Sequence, residues 1–433
     1  MRLKSLANNL KWLYPGMRVK RWLLLVPVGL GFGIAGVVLL AGISMFSILE
    51  SVGDAVFVRF GIRLHEPTTK IVVASLLIAI GLLLIYFSLR QVVRSIASVV
   101  SPGSQHNLAD VIFRRRYLAQ GQRIVVIGGG TGLSTMLRGL KQYTSNIVAV
   151  VTVTDDGGSS GRLQREMGML PPGDIRNCLV ALADTESTMQ ELFQYRFNEG
   201  IDGVDGHSFG NLLIAAMTRI TGDFERAVKE TSHILNIRGQ VLPSTIDPVQ
   251  LQAELVDGTF VEGETDIVKA PAAIKHVMLH PSSVRPLDET LRAIENADCI
   301  VMGPGSIYTS IVPNILVKGI PEAIRDSDAA KIYVCNVMTQ PGETDGFTAS
   351  DHVRAIAKHS EHKLFQHVIV NEEKPGKVLL ERYAEEKQFL VEPDVVEIRE
   401  MGYRPVVTDC ISQTDVVRHD PDKLADAILK LMY

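Results

Sequence analysis

The stretch Arg123-Ile-Val-Val-Ile-Gly-Gly-Gly-Thr-Gly-Leu-Ser-Thr-Met-Leu-Arg-Gly-Leu140 decides the fold class. Its β-branched run reads as a buried strand, the glycines at 128, 129, 130 and 132 as a turn, and the leucine-rich tail as a helix. Strand, glycine turn and helix open a doubly wound α/β domain of Rossmann-like, three-layer kind. Glycines let backbone amides approach an anion, and the helix start adds its positive dipole end. Gly129, Gly130, Thr131 and Gly132 are therefore candidate phosphate contacts. The spacing is not G-x-G-x-x-G, because Leu133 stands where the third glycine belongs, and no P-loop lysine follows. A tight β–α connection without a ligand is the alternative reading of this loop.

Further along, the apolar run Ile147–Val153 delivers Thr154-Asp-Asp-Gly-Gly-Ser-Ser-Gly161 to the carboxyl edge of the sheet, where ligands of parallel sheets bind. Asp155 and Asp156 are suited to a ribose or a divalent cation, and Gly157, Gly158 and Ser159 to another phosphate. A solvated turn with a helix cap is the plainer alternative. Asp174, in Pro171-Pro-Gly-Asp-Ile-Arg-Asn177, is placed to cap a helix over 175–183. His207 and Asn211 are spaced to share one face at the start of a helix over 208–220. Residues 241–277 break into short alternating pieces around Asp257-Gly258, a hairpin signal, and predict a small β insertion. A second glycine turn, Gly303-Pro-Gly-Ser-Ile-Tyr-Thr-Ser310, follows the strand Cys299–Met302, and a third polar turn begins at Met338. Two glycine turns on one sheet edge are what gripping a diphosphate from both sides requires.

Before this body lie 28 uncharged residues, Trp22–Leu49, and 19 more, Ile71–Leu89, each long enough to cross a hydrocarbon core. Arg2, Lys4, Lys11, Arg18, Lys20 and Arg21 precede the first run, and Arg90, Arg94 and Arg114–Arg116 follow the second. Positive flanks predict both ends on the cytoplasmic side of a two-span hairpin in the cell membrane. The expected plan is an anchor over 1–100, a basic linker over 101–122 and an α/β domain over 123–433.

Length and composition agree with that plan: 433 residues, 46% hydrophobic, with a mean hydropathy of +0.17. Residues 1–123 hold 15 basic and 4 acidic side chains; by subtraction the remainder holds 29 and 44. So acidic a body repels phosphate backbones, which disfavours nucleic-acid binding. Cys178, Cys299, Cys335 and Cys410 are far apart, giving neither a zinc spacing nor a disulfide framework.

The ordered motifs G-G-G-T-G-L-S, T-D-D-G-G-S-S-G-R-L, P-P-G-D-I-R-N, H-S-F-G-N-L-L, G-P-G-S-I-Y-T-S and N-V-M-T-Q-P-G-E-T-D-G-F resemble the YvcK branch of the CofD-like family across most of 123–433. The resemblance implies a Rossmann-like fold, a homodimer and a nucleotide-type ligand. In the YvcK branch it implies a regulator that binds UDP-activated sugars such as UDP-N-acetylglucosamine, works with a protein partner and is required for cell shape and wall synthesis during gluconeogenic growth. In the CofD branch it implies a Mg²⁺-assisted phospholactyl transferase, for which Asp155, Asp156 and His207 would be the catalytic candidates. Carried onto this sequence, the ligand contacts are Gly129–Gly132, Asp155, Asp156, Asp174, Asn177, His207 and Asn211. Opposite them stand Gly303, Gly305, Ser306, Tyr308, Thr309, Asn336 and Thr339, with Tyr383 and Arg418 as late-chain contacts. A nicotinamide-dependent oxidoreductase is a weaker reading, since the glycine spacing is wrong for it.

Overall fold

The computed structural model describes residues 20–41, 67–100, 116–184, 187–197, 203–413 and 416–432, which form two compact units divided near residue 112. Outside the described residues lie Arg2, Lys4, Lys11 and Arg18, the connection 42–66 and the linker 101–115.

In the first unit, α1 (Leu25–Ala41) packs antiparallel to α2 (Pro67–Val100) through small residues. A Cβ on Gly29 would lie 2.8 Å from the Gly81 carbonyl oxygen, and one on Gly36 2.8 Å from that of Ala74. At the open end, Trp22 meets Phe87 edge-on at 5.6 Å, and the Ser88 hydroxyl donates to the Trp22 carbonyl. The backbones approach this closely because glycine leaves room, while Leu82, Leu83, Tyr86 and Leu89 point outward and are exposed. Ile71–Arg94 is long and apolar enough to cross a membrane; α1 has 17 described residues.

The second unit is the expected α/β domain. Seven parallel strands run in the order β10-β9-β8-β7-β1-β2-β3, where β1 is Ile124–Gly128, β2 Ile147–Val151, β3 Gln240–Pro243, β7 Cys299–Met302, β8 Ala330–Val334, β9 His367–Asn371 and β10 Arg404–Thr408. β1 and β7 are buried throughout, since helices cover both faces, which is why they read as continuous apolar runs rather than alternating ones. The chain winds from β1 outward through β2 and β3, then returns to β7 beside β1 and winds the other way. The reversal between β1 and β7 opens a crevice at their carboxyl ends, into which both glycine turns project.

Helices flanking this edge are α3 (Gly130–Leu140), α4 (Gly158–Met167), α5 (Gly173–Leu182), α6 (Phe209–Thr221), α7 (Phe224–Leu235), α8 (Ala349–Lys358), α9 (Lys377–Glu385) and α10 (Pro421–Lys430). Asp174 does not cap its helix: α5 starts at Gly173, two residues earlier than expected, after Pro172 and without a side-chain cap. The insertion is a three-stranded antiparallel sheet of β4 (Gln250–Leu255), β5 (Phe260–Glu262) and β6 (Ile274–His280). Its hairpin turns at Gly258, with φ +86°. Residues 240–243, expected partly in the insertion, are instead an edge strand of the main sheet, where Pro243 is tolerated. All four cysteines are free and buried.

Candidate functional site

A cavity of about 580 Å³ fills the crevice. Gly129–Gly132 wall it after β1, Pro304–Ser306 after β7, and Asn336–Gln340 after β8, while Tyr383 and Arg418 reach it from late in the chain. The two glycine turns touch: a Cβ on Gly132 would lie 2.6 Å from the Pro304 carbonyl oxygen, and one on Gly305 3.3 Å from that of Gly129. Gly130 has φ +67°, a conformation that side chains resist.

Some amides of the turns are already engaged. The Gly130 N–H donates to Asp174, whose carboxylate sits so close beneath the loop that a Cβ on Gly129 would be 2.5 Å from Oδ2. Burial, then Asp155, pushes the Asp174 carboxyl up to about 6, against the opposing pull of that N–H and of Arg176. The donors left for an anion on this side are the first-turn amides of α3, at Thr131 and Gly132, which have no acceptor within the helix. Opposite, Asn336 clamps Gly305 twice, accepting its N–H at 3.0 Å and donating to its carbonyl at 2.8 Å. Gln340 Nε2 donates to the Ser306 hydroxyl at 2.8 Å. Thr339 accepts the Phe389 N–H at 2.9 Å and donates its own N–H to the Phe389 carbonyl at 2.8 Å. Tyr383 Oη accepts the Val417 N–H at 3.0 Å, so the late-chain wall is tied together.

Other candidates lie behind the cavity wall. Tyr308 and Thr309 are buried, Thr309 donating to Glu343 Oε1 at 3.3 Å, and Gly303 turns the backbone at φ +76°. Ser159, His207 and Asn211 are buried together: Asn211 Nδ2 donates to Ser159 Oγ at 3.0 Å, and Ser159 shares a 2.9 Å hydrogen bond with His207 Nδ1. Burial, then Arg162, depresses the His207 imidazole below its ordinary value. Arg176 completes this network, donating to Asn211 Oδ1 at 3.1 Å, to Asn177 Oδ1 at 2.8 Å and to Ser208. The network braces the starts of α4, α5 and α6 and does not line the cavity. Gly157 gives its N–H to Asp155 Oδ1 at 3.0 Å, and Gly158 begins α4 at φ +45°.

The two adjacent aspartates part company. Asp155 lines the cavity, whereas Asp156 Oδ1 accepts the Thr265 N–H and hydroxyl at 3.0 and 2.7 Å, holding the insertion to the core. They do not present a paired carboxylate to a cation, and among the described residues no three His, Cys, Asp or Glu side chains group as metal ligands would. The acid that joins Asp155 and Asp174 on the cavity wall is Glu264, from the insertion. It lies in no motif, and only the fold brings it here. Gln388 and His419 are further wall residues.

Burial, then Asp155, Asp174, Glu343 and Asp156, pushes the Glu264 carboxyl up to about 9. The folded chain thus holds this proton more tightly than the unfolded one. The stability it contributes is complete below about pH 4.5 and is lost as pH rises through about 9. Thermal midpoints measured from pH 7 to 8.5 are expected to fall in the parent protein and to fall less in Glu264→Gln. Equal slopes would contradict the assignment.

A doubly wound α/β domain with two abutting glycine turns at its switch point opens its crevice at the carboxyl edge of a parallel sheet, the place where this architecture holds ligands. The family model described as 2-phospho-L-lactate transferase CofD matches residues 124–411, and the chain belongs to this CofD family. A relative from Bacillus subtilis named "Gluconeogenesis factor" is 48% identical over 73% of this chain and 99% of its own length. A Nostoc relative carrying the gluconeogenesis-factor name is 48% identical over 97% of this chain and 92% of its own, a span that includes the N-terminal helices. A crystal structure of a UPF0052 family member from Bacillus halodurans is 49% identical with a TM-score of 0.69, covering 71% of this chain and 99% of that one.

Proposed function

We propose that this chain binds a nucleotide-activated sugar of the UDP-N-acetylglucosamine type and acts as a regulator that couples carbon flux to envelope synthesis. The observation that carries the reading is the meeting of the turns after β1 and β7 on one cavity, a pair of backbone cradles suited to a pyrophosphate. The gluconeogenesis-factor names of relatives support the regulatory role. A regulator needs only selective binding that shifts a two-state equilibrium. A second reading, transfer from a nucleoside-diphosphate-linked donor, draws on the name of the matching family model. Calorimetry of the full chain in detergent with UDP-N-acetylglucosamine separates them: saturable binding without turnover supports the regulator. No binding, or donor consumption that disappears in Asp155→Ala, contradicts it.

We further propose that α1 and α2 belong to a membrane hairpin. Support comes from their glycine-lined antiparallel contact and outward apolar side chains. No Asp, Glu, Lys, Arg or His lies in Trp22–Leu49 or Ile71–Leu89, so the hairpin serves as an anchor rather than an ion path. The full chain is expected to stay with membranes through alkaline carbonate extraction, and a chain lacking residues 1–112 to be released. Release of both would contradict the anchor.

A further inference from the structure

The cavity is graded along the sheet, because its walls come from strand ends in the order β2, β1, β7, β8. Its β2 end carries Asp155, with Asp174 and Glu264 beside it. The glycine turns occupy the middle. Its β8 end carries Met338, Tyr383, Gln388, Val417 and Arg418, which offer apolar surface, an aromatic ring, an amide and a cation. A ligand whose pyrophosphate sits on the glycine turns therefore extends one half among carboxyls and the other against apolar and amide groups. A flat base suits the second environment, and hydroxyls, which donate to carboxyl oxygens, suit the first.

We infer that Glu264, carried in by the β insertion, reads the hydroxyl-bearing group beyond the pyrophosphate, so that the insertion sets which activated group the protein accepts. This inference rests on the nucleotide-sugar reading above. Within residues 250–280 Glu264 alone lines the cavity. Its backbone is fixed on two sides. Asp156 grips the neighbouring Thr265, and a Cβ on Gly263 would meet Asp156 Oδ2 at 2.2 Å. The Gly263 N–H donates to the Leu251 carbonyl at 2.7 Å, joining the turn to β4. From the β8 side, Gly342 abuts the short helix Glu264–Lys269 one turn on from Glu264, where a Cβ on Gly342 would lie 2.0 Å from the Val268 carbonyl oxygen. A side chain whose base is pinned this way loses little further freedom on binding, which is what selectivity by one hydrogen bond requires. Burial, and then the surrounding Asp155, Asp174, Glu343 and Asp156, keep a proton on Glu264 at neutral pH, so it can donate as well as accept. They also disfavour an anionic group at this end.

The test is calorimetry at pH 7 on the full chain in detergent, with UDP and UDP-N-acetylglucosamine as the two probes. The parent protein is expected to bind the sugar nucleotide more tightly than UDP. Glu264→Ala should weaken the sugar nucleotide roughly tenfold while leaving UDP within about twofold, and the isosteric Glu264→Gln should keep most of the preference. Circular dichroism checks that both variants fold. An equal loss for both probes, or no loss in Glu264→Ala, overturns the inference while leaving the nucleotide reading in place. So does equal affinity of the parent protein for the two probes. Failure of the parent to bind either probe removes the nucleotide reading itself, and this inference with it.

Discussion

Gly132→Val is expected to abolish nucleotide binding and to lower the thermal midpoint. Even the first added carbon would lie 2.6 Å from the Pro304 carbonyl oxygen and 2.9 Å from its carbon. Both are backbone atoms between β7 and a buried helical segment, so no flexible side chain can give way. The turns must separate, at an overpacking cost of about 1–3 kcal/mol. Separation pulls the Thr131 and Gly132 amides away from the opposite cradle. Losing two charge-assisted hydrogen bonds to phosphate, each contributing about 1.5–3 kcal/mol, corresponds to a loss of affinity of more than roughly a hundredfold. Gly376→Ala is the control: Gly376 caps the start of α9 with open space where its Cβ would stand, at φ −58°. Calorimetry and melting curves on both variants check the result, and near-parental binding by Gly132→Val would contradict the convergence of the two turns.

The second large effect is expected at Asn336, with an informative order among its variants. Asn336→Ala leaves the Gly305 N–H and carbonyl without their side-chain partners, and two such losses in a part-buried turn come to about 2–4 kcal/mol. Asn336→Asp keeps an acceptor for the N–H but sets a carboxylate oxygen against the Gly305 carbonyl and adds negative charge beside the phosphate position. Affinity for a nucleotide diphosphate should therefore fall in the order parent, Ala, Asp, with Asp at least tenfold below Ala. An aspartate variant that binds better than alanine would place the anion elsewhere.

Much of the fold was legible because buried parallel strands and glycine turns leave local marks. Ile124–Ile127 and Cys299–Met302 are apolar without alternation, and each runs directly into glycine. The topology then follows, since a chain that returns to lie beside its first strand must open a crevice there. What the sequence concealed depends on contacts across long separations. Asp156 looks like a twin of Asp155, yet Thr265, more than a hundred residues on, turns it away. Glu264 has no motif, and its place on the cavity wall comes from the insertion folding back. His207 and Asn211 carry the spacing of a shared helix face, but His207 lies just before Ser208, the cap of α6, and the two meet instead on the Ser159 hydroxyl behind the cavity wall. Asp174 reads locally as a helix cap, because an acid after Pro-Pro-Gly fits that role. Its real partner, the Gly130 N–H, belongs to the other end of a βαβ unit.

The most direct test is a crystal structure of the protein with UDP-N-acetylglucosamine bound. The expected result is pyrophosphate density between the amides of Thr131 and Gly132 and the turn at Gly305 and Ser306, with the uracil toward Tyr383 and the sugar toward Glu264. Density for the nucleotide outside the crevice between β1 and β7, or phosphates that touch only one of the two turns, would contradict it.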